Sequence, residues 1–313
     1  MAPLTAYESQ DRCDLVVVKN AEGRHVELKG FAFDIDGPVQ AMQHFARMRG
    51  GAQAQLLLAS DGHYYIVKFQ NNPQHRRVLV NEMLAHVLLR HLELPTPAAE
   101  VVEVPPELLA ISPNLYIETG GRRAGCATGK QFGSRYPGDP ARRPVYDYVP
   151  DALLRQVLNV DSFVGMVAFD KWVANADGRQ AIFFRDQVTR WRPEAAGGPG
   201  GHGLVAAMVD HGFAFTAHCW VFRDTPQTGL YPRPWLYENV TGYESFEPWL
   251  GRISNFSLDV LDDAFKRIPP EWFEGDFPAL EQLLEALYDR RSLVPELLRA
   301  AKNGTRDPFP NWH

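Results

Sequence analysis

Apolar and polar positions alternate over short runs in the first part of this chain and at helical spacing in the second. Leu15 to Val18 and His25 to Leu28 are brief apolar runs split by the turn-rich KNAEGR, which predicts an N-terminal hairpin. Phe31 to Pro38 leads into Val39 to Met48, whose apolar residues fit neither a period of two nor one of 3.6, so helix and strand both stay open there. Leu56 to Leu58 and Tyr64 to Phe69 flank Ser60-Asp61-Gly62 and predict a second hairpin with Ile66 and Lys68 on one face. Val78 to Leu92 is apolar nearly all round a helical wheel, which predicts a buried helix. Leu94-Pro95-Thr96-Pro97 ends it, and Ala99 to Val104 reads as a strand. Residues 105–129 read as irregular with Gly120-Gly121 at a loop tip, and Lys130 to Arg135 as a short strand.

Tyr136-Pro137-Gly138-Asp139-Pro140 is a strong breaker and the expected boundary between two lobes. Beyond it, Asp151 is expected to cap a helix from Ala152 to Leu158, and Asp161 a longer one reaching Trp172. Ala181 to Phe184 and Leu204 to Val209 read as strands joined by residues 192–203, a Gly- and Pro-rich flexible loop. Phe213 to Tyr243 is aromatic and loop-rich. Helices follow from Glu247, over Leu258 to Ile268 and Pro278 to Ala301, with Leu280, Leu283, Leu284 and Leu287 spaced as core.

Composition narrows the class. With 313 residues and 45% hydrophobic content, the chain can bury a large core in one or two domains. A net charge of −6 without long basic runs excludes a phosphate-tracking surface, so no direct nucleic-acid partner is expected. Three scattered cysteines, Cys13, Cys126 and Cys219, read as thiols in a reducing compartment. No signal peptide or apolar run long enough to span a bilayer is present, which predicts a cytoplasmic protein without membrane contact.

The chemistry concentrates in FDKWVANADGRQAIFFRD, residues 169–186, and in MVDHGF further on. Asp177 lies in a turn between an apolar helix and an aromatic strand, and Asp210 follows the next apolar run. Nucleotide phosphoryl transfer uses such a pair, one carboxylate to direct the acceptor and one to hold the charge-neutralising metal. The plainer alternative is a turn-capping Asp177 and an Asp210 held in a salt bridge. Glu82, on the buried helix, needs a cation; Lys68 on the preceding strand is one candidate, and local pairing with His86 or Arg90 is the other. Gly50-Gly51 precedes a hairpin, where backbone amides can approach phosphate, although such a pair is also an ordinary turn. His86, His91, His211 and His218 lack zinc-site spacing and read as structural or surface residues.

Glycine pair, strand lysine, helical glutamate, turn aspartate and strand-end aspartate occur in the order of a protein-kinase-like fold, and the chain resembles the HipA-like kinase family from about Val39 to Glu296. GGAQAQLLL (50–58) resembles the family's glycine loop, YIVKF (65–69) its lysine strand, and NEMLAHVLLRHLELPTP (81–97) its glutamate helix. FDKWVANADGRQAIFF (169–184) resembles its catalytic loop and MVDHG (208–212) its metal-binding segment.

The resemblance implies an α+β, bilobal protein-kinase-like fold, related to the phosphatidylinositol-kinase-like fold. Residues 39–135 would form a small mixed N-lobe with an antiparallel sheet and one buried helix, and 136–313 a larger, mainly helical C-lobe; residues 1–38 would be an extension. It implies an ATP- and Mg²⁺-dependent serine/threonine protein kinase, with a protein substrate or partner. Gly50, Gly51, Ala52 and Gln53 would cover the phosphates; Lys68 would contact them, held by Glu82. Asp177 would orient the acceptor, Asp210 would chelate the metal, and the strand around Gly133 and Ser134 would meet adenine. Three departures stand out. Ile182 occupies the position of the family's second metal ligand, for which Gln180 or Asn175 would substitute. Met48 replaces the autophosphorylated serine. The family's long N-terminal region is replaced by about forty residues, so the toxin–antitoxin-like partnership with a repressor does not carry over. A small-molecule kinase and a non-catalytic nucleotide-binding module are the alternative readings.

Overall fold

The computed structural model describes residues 15–19, 25–29, 38–191, 201–225 and 228–313. The expected N-terminal hairpin forms from β1 (Leu15–Lys19) and β2 (His25–Lys29), paired antiparallel. Residues 31–37, and 192–200 of the expected flexible loop, lie outside the described residues.

β3 (Val39–Arg47), β4 (Gln55–Ala59) and β5 (Tyr64–Lys68) run as an antiparallel meander. They join β6 (Ala99–Val104) and β9 (Gly129–Arg135) in a closed barrel of order β3-β4-β5-β9-β6. The expected antiparallel sheet is thus corrected to a barrel, because Val39 and Gln40 lie parallel to Val102 and Glu103 and leave no open edge. The ambiguous segment from Val39 is a strand. Its register shifts between Ala41 and Gln43 and again between His44 and Ala46, which accounts for the broken period in its sequence.

Leu57, Tyr65, Val67, Val102 and Val104 fill the barrel interior, where Leu108 of α2 (Pro106–Ile111) also packs. Residues 105–129 are more regular than expected, because β7 (Tyr116–Thr119) and β8 (Arg122–Gly125) pair across Gly120-Gly121. Both glycines have positive φ, 58° and 76°, as a two-residue hairpin turn requires.

Helix α1 (Arg77–His91) is buried along eleven of its fifteen residues, because the barrel lies on one side and the helical part of the chain on the other. In the second part, α3 (Asp151–Leu154) is shorter than expected; Asp151 is its first residue, after Pro150. Asp161 precedes α4 (Ser162–Trp172), but its side chain makes no capping bond. β10 (Gln180–Gln187), α5 (Val188–Trp191) and β11 (His202–Val209) follow, the two strands paired antiparallel. The C-terminal helices are α6 (Trp249–Ser254), α7 (Leu258–Arg267), α8 (Phe277–Arg290) and α9 (Val294–Lys302). The last two divide the segment expected as one helix, with Arg291–Leu293 as a 3-10 turn between them. Leu280, Leu283 and Leu287 are buried and Leu284 packs against them partly exposed. Trp172 Nε1 donates to the Leu287 carbonyl at 2.9 Å, and Arg290 Nε donates to the Trp172 carbonyl at 2.8 Å. Those bonds lock α4 against α8 and set where the turn after Trp172 emerges.

Candidate active site

Strand alternation puts Tyr65 and Val67 inside the barrel, while Ile66 and Lys68 line a cavity of about 560 Å³ outside it. Lys68 Nζ donates to Glu82 Oε1 of α1 and, at 2.8 Å, to Asp210 Oδ1 just after β11. The local alternative for Glu82, pairing with His86 or Arg90, is not formed among the described residues. Glu82 also accepts the His211 backbone N–H at 3.0 Å. Burial works against the Lys68 ammonium, but Glu82 and Asp210 together outweigh it and raise its pKa. The same lysine holds the Asp210 carboxyl below its ordinary range, against the effect of burial. Burial raises Glu82, opposed by Lys68.

Two local features bring Asp210 to that place. Its φ of 59° is left-handed, a conformation Asp tolerates better than most residues. At Gly212 a Cβ would stand 2.7 Å from Val78 Cγ1, so only glycine lets this segment lie against α1.

A second buried network fixes the turn after α4. Arg179, 3% exposed, donates Nε to Asp170 Oδ2 at 2.9 Å and Nη2 to Asp170 Oδ1. Its Nη1 donates to the Val209 carbonyl and to His211 Nδ1, at 3.1 and 3.0 Å. Guanidinium can only donate, so His211 Nδ1 accepts and Nε2 carries the proton. That Nε2 and His86 Nδ1 are buried without a hydrogen-bond partner, and both residues line the cavity. Burial, then Arg179, push the His211 pKa well down. Burial, then Arg90, lower His86 to about 4. Sequence spacing gave no sign of this pair; its only trace was a histidine on an otherwise apolar helix.

The glycine segment is anchored by its own side chains. Met48 N–H bonds the Ala54 carbonyl and Gln53 N–H the Gly50 carbonyl, closing a tight turn with Gly50 at φ 114°. Gln53 Nε2 donates to the Glu118 carbonyl at 2.6 Å, and its Oε1 accepts the Glu118 N–H at 2.8 Å. The Gln53 side chain therefore grips β7, while the residue itself lines the cavity.

Gly50, Gly51, Ala52, Gln53, Lys68, Glu82, Ser134, Gln180 and Asp210 line the one cavity. Gly133, Asn175 and Asp177 do not. Gly133 sits inside the barrel wall, where a Cβ would fall 2.5 Å from Val102 Cγ2. Asn175 is buried and used up: its amide donates to Asp170 Oδ1 at 3.1 Å and its Oδ1 accepts the Asp177 N–H at 3.2 Å. Asn175 thus holds the turn together from within. Gln180 is beside Asp210, whose carboxyl it hydrogen-bonds. Asp177 is exposed on the turn, with Oδ1 accepting the Gly178 N–H at 2.7 Å. Ile182 faces the cavity. Among the described residues no cluster of three or more His, Cys, Asp or Glu forms a metal cage.

No curated protein matches this chain. Among solved structures it is similar to the Golgi casein kinase with Mn/ADP bound, at 12% identity and a TM-score of 0.42, over 85% of this chain and 73% of that one. A second structure of the Golgi casein kinase is similar at 10% identity and a TM-score of 0.42, over 87% and 74% of the two chains. The family model described as HipA-like kinase matches residues 43–183, from β3 into β10. Over that stretch, which holds Lys68, Glu82 and Asp177, the chain is similar to the HipA-like kinase family.

Proposed function

We propose that this protein is an ATP- and Mg²⁺-dependent phosphotransferase that phosphorylates serine or threonine in a protein, with the barrel and α1 as one lobe and residues from about 136 onward as the other. The observation that carries the reading is Lys68 bridging Glu82 and Asp210 in a cavity roofed by the Gly50–Gln53 turn. Beside Lys68, Asp210 is held ionised and stays partly exposed toward the cavity. Such a site favours a further cation, and a triphosphate brings its own metal.

Asp210 and Gln180 fit that metal as two oxygen donors, the remaining positions being suited to phosphate and water oxygens as Mg²⁺ prefers. Bound there, the metal would neutralise charge on the transferring phosphate. Lys68 is positioned to donate to phosphate oxygens, and Glu82 keeps its ammonium from collapsing onto Asp210 alone. Asp177, exposed on the turn and outside the cavity lining, would accept the hydroxyl proton of an incoming substrate. The test is transfer from γ-labelled ATP with Mg²⁺ to the protein itself or to a mixed protein substrate. Transfer by the wild type and its loss in Asp177→Ala, with nucleotide affinity retained, is the expected result; equal labelling in both would refute the assignment of Asp177.

One observation favours a second reading, a nucleotide-binding module without transfer. Ile182 faces the cavity where a second metal ligand is expected, and Asn175 is fully engaged elsewhere. The two readings part on Ile182→Asn. Under the catalytic reading the wild type already transfers phosphate and the variant tightens its metal dependence; under the other, the wild type binds nucleotide without transferring it.

A further inference from the structure

A larger cavity, about 1220 Å³, adjoins the Lys68 cavity and shares its wall at Thr96, Pro97 and Arg135 to Pro137. It takes no part in the chemistry above. Its lining is cationic in a chain of net charge −6: Arg90, Arg135, Arg143, Arg190 and Arg252 face three carboxylates, Glu93, Asp161 and Asp186.

The arginines are held apart. Arg252 pairs with Glu93 at 2.8 Å and also donates to the Leu92 carbonyl. Arg190 and Arg143 share Asp186, at 3.4 and 4.0 Å, while Trp191 Nε1 also donates to that carboxylate at 3.1 Å. Arg135 is hydrogen-bonded to His63 at 2.9 Å, and Arg90 is exposed with no ion pair among the described residues. Between these groups lie polar residues, Asn159 and Ser162 among them, and apolar ones, with Pro95, Pro97, Leu158 and a Trp249 ring packed so closely on Gly165 that a Cβ there would be 2.4 Å away. A compact phosphate needs guanidinium groups converging on one point. Arginines anchored at three different places, Glu93, Asp186 and His63, with Arg90 beside them, instead present a spread positive field, suited to carboxylates spaced along an extended chain. The volume also exceeds that of a typical small-molecule pocket.

We infer that this groove binds an acidic polypeptide segment, rich in Asp or Glu, at a site separate from the nucleotide cavity. The inference does not rest on the proposed phosphoryl transfer. The test is fluorescence anisotropy of a dye-labelled oligoglutamate peptide titrated with the full chain at low ionic strength, beside oligoglutamine and inorganic tripolyphosphate. Oligoglutamate is expected to bind, oligoglutamine not, and added salt to weaken the complex. Arg90→Glu is expected to reduce affinity about tenfold, Arg143→Glu to act in the same direction, and Arg90→Lys to keep binding. A non-hydrolysable ATP analogue in excess should leave the peptide bound. Absence of oligoglutamate binding, equal binding by folded Arg90→Glu and Arg143→Glu, displacement by the ATP analogue, or tripolyphosphate binding more tightly at the same arginines would each overturn the inference.

Discussion

Lys68 shows how much a single side chain carries here. It is 8% exposed and bridges two carboxylates from distant parts of the chain. Lys68→Met should keep the volume of the stem while leaving Glu82 buried without its cation, destabilising the fold by about 3 kcal/mol. It should also weaken ATP binding, and denaturant melts with nucleotide titrations check both effects. The buried histidines give a pH signature. Their native pKa values are depressed, to about 4 for His86, so the unfolded chain takes up protons first as the medium is acidified. The stabilisation from keeping them neutral is complete above an ordinary histidine pKa and declines as pH falls from about 6.5 to about 4. Urea midpoints should fall across that window in the wild type and less steeply in His86→Leu. The Lys68–Glu82 pairing was legible in the sequence, because a carboxylate on an all-round apolar helix demands a cation. Arg179 was not, since its role depends on Asp170, nine residues back, being swallowed by the same core.

Among the elements, the Gly50–Gln53 turn depends on the β7–β8 hairpin. Gln53 makes hydrogen bonds to both backbone groups of Glu118, so β7 holds the turn over the cavity. Gln53→Ala should cost about 1–3 kcal/mol by leaving those groups unpaired. Faster amide exchange at residues 50–54 and weaker nucleotide binding, with the barrel amides still protected, would be the expected readout. This contact was invisible in a segment that reads as irregular, because β7 and β8 are short and carry charged residues on both faces. The β3 strand was equally obscured, by two register shifts that break its alternation. Helix α1, apolar nearly all round, and the β4–β5 hairpin, with its clear turn residues, appear where expected.

Taken whole, the molecule places its cavity where barrel, α1 and the β10–β11 hairpin meet, so a nucleotide there touches all three. Nucleotide with Mg²⁺ should therefore raise the melting free energy by about 2.7 kcal/mol at a ligand concentration near 100 Kd. In Asp210→Ala the metal-dependent part of that gain should vanish, a difference that thermal unfolding with and without Mg²⁺ measures directly.

Order along the chain was enough to indicate the kinase-like set of residues, because each belongs to an element whose period or turn chemistry is local. Closure of the barrel, the burial of Asn175, the grip of Gln53 and the concentration of arginines around one groove arose only on folding. Each of these joins residues far apart in sequence, and no local pattern of hydrophobicity encodes which distant polar group a side chain will meet.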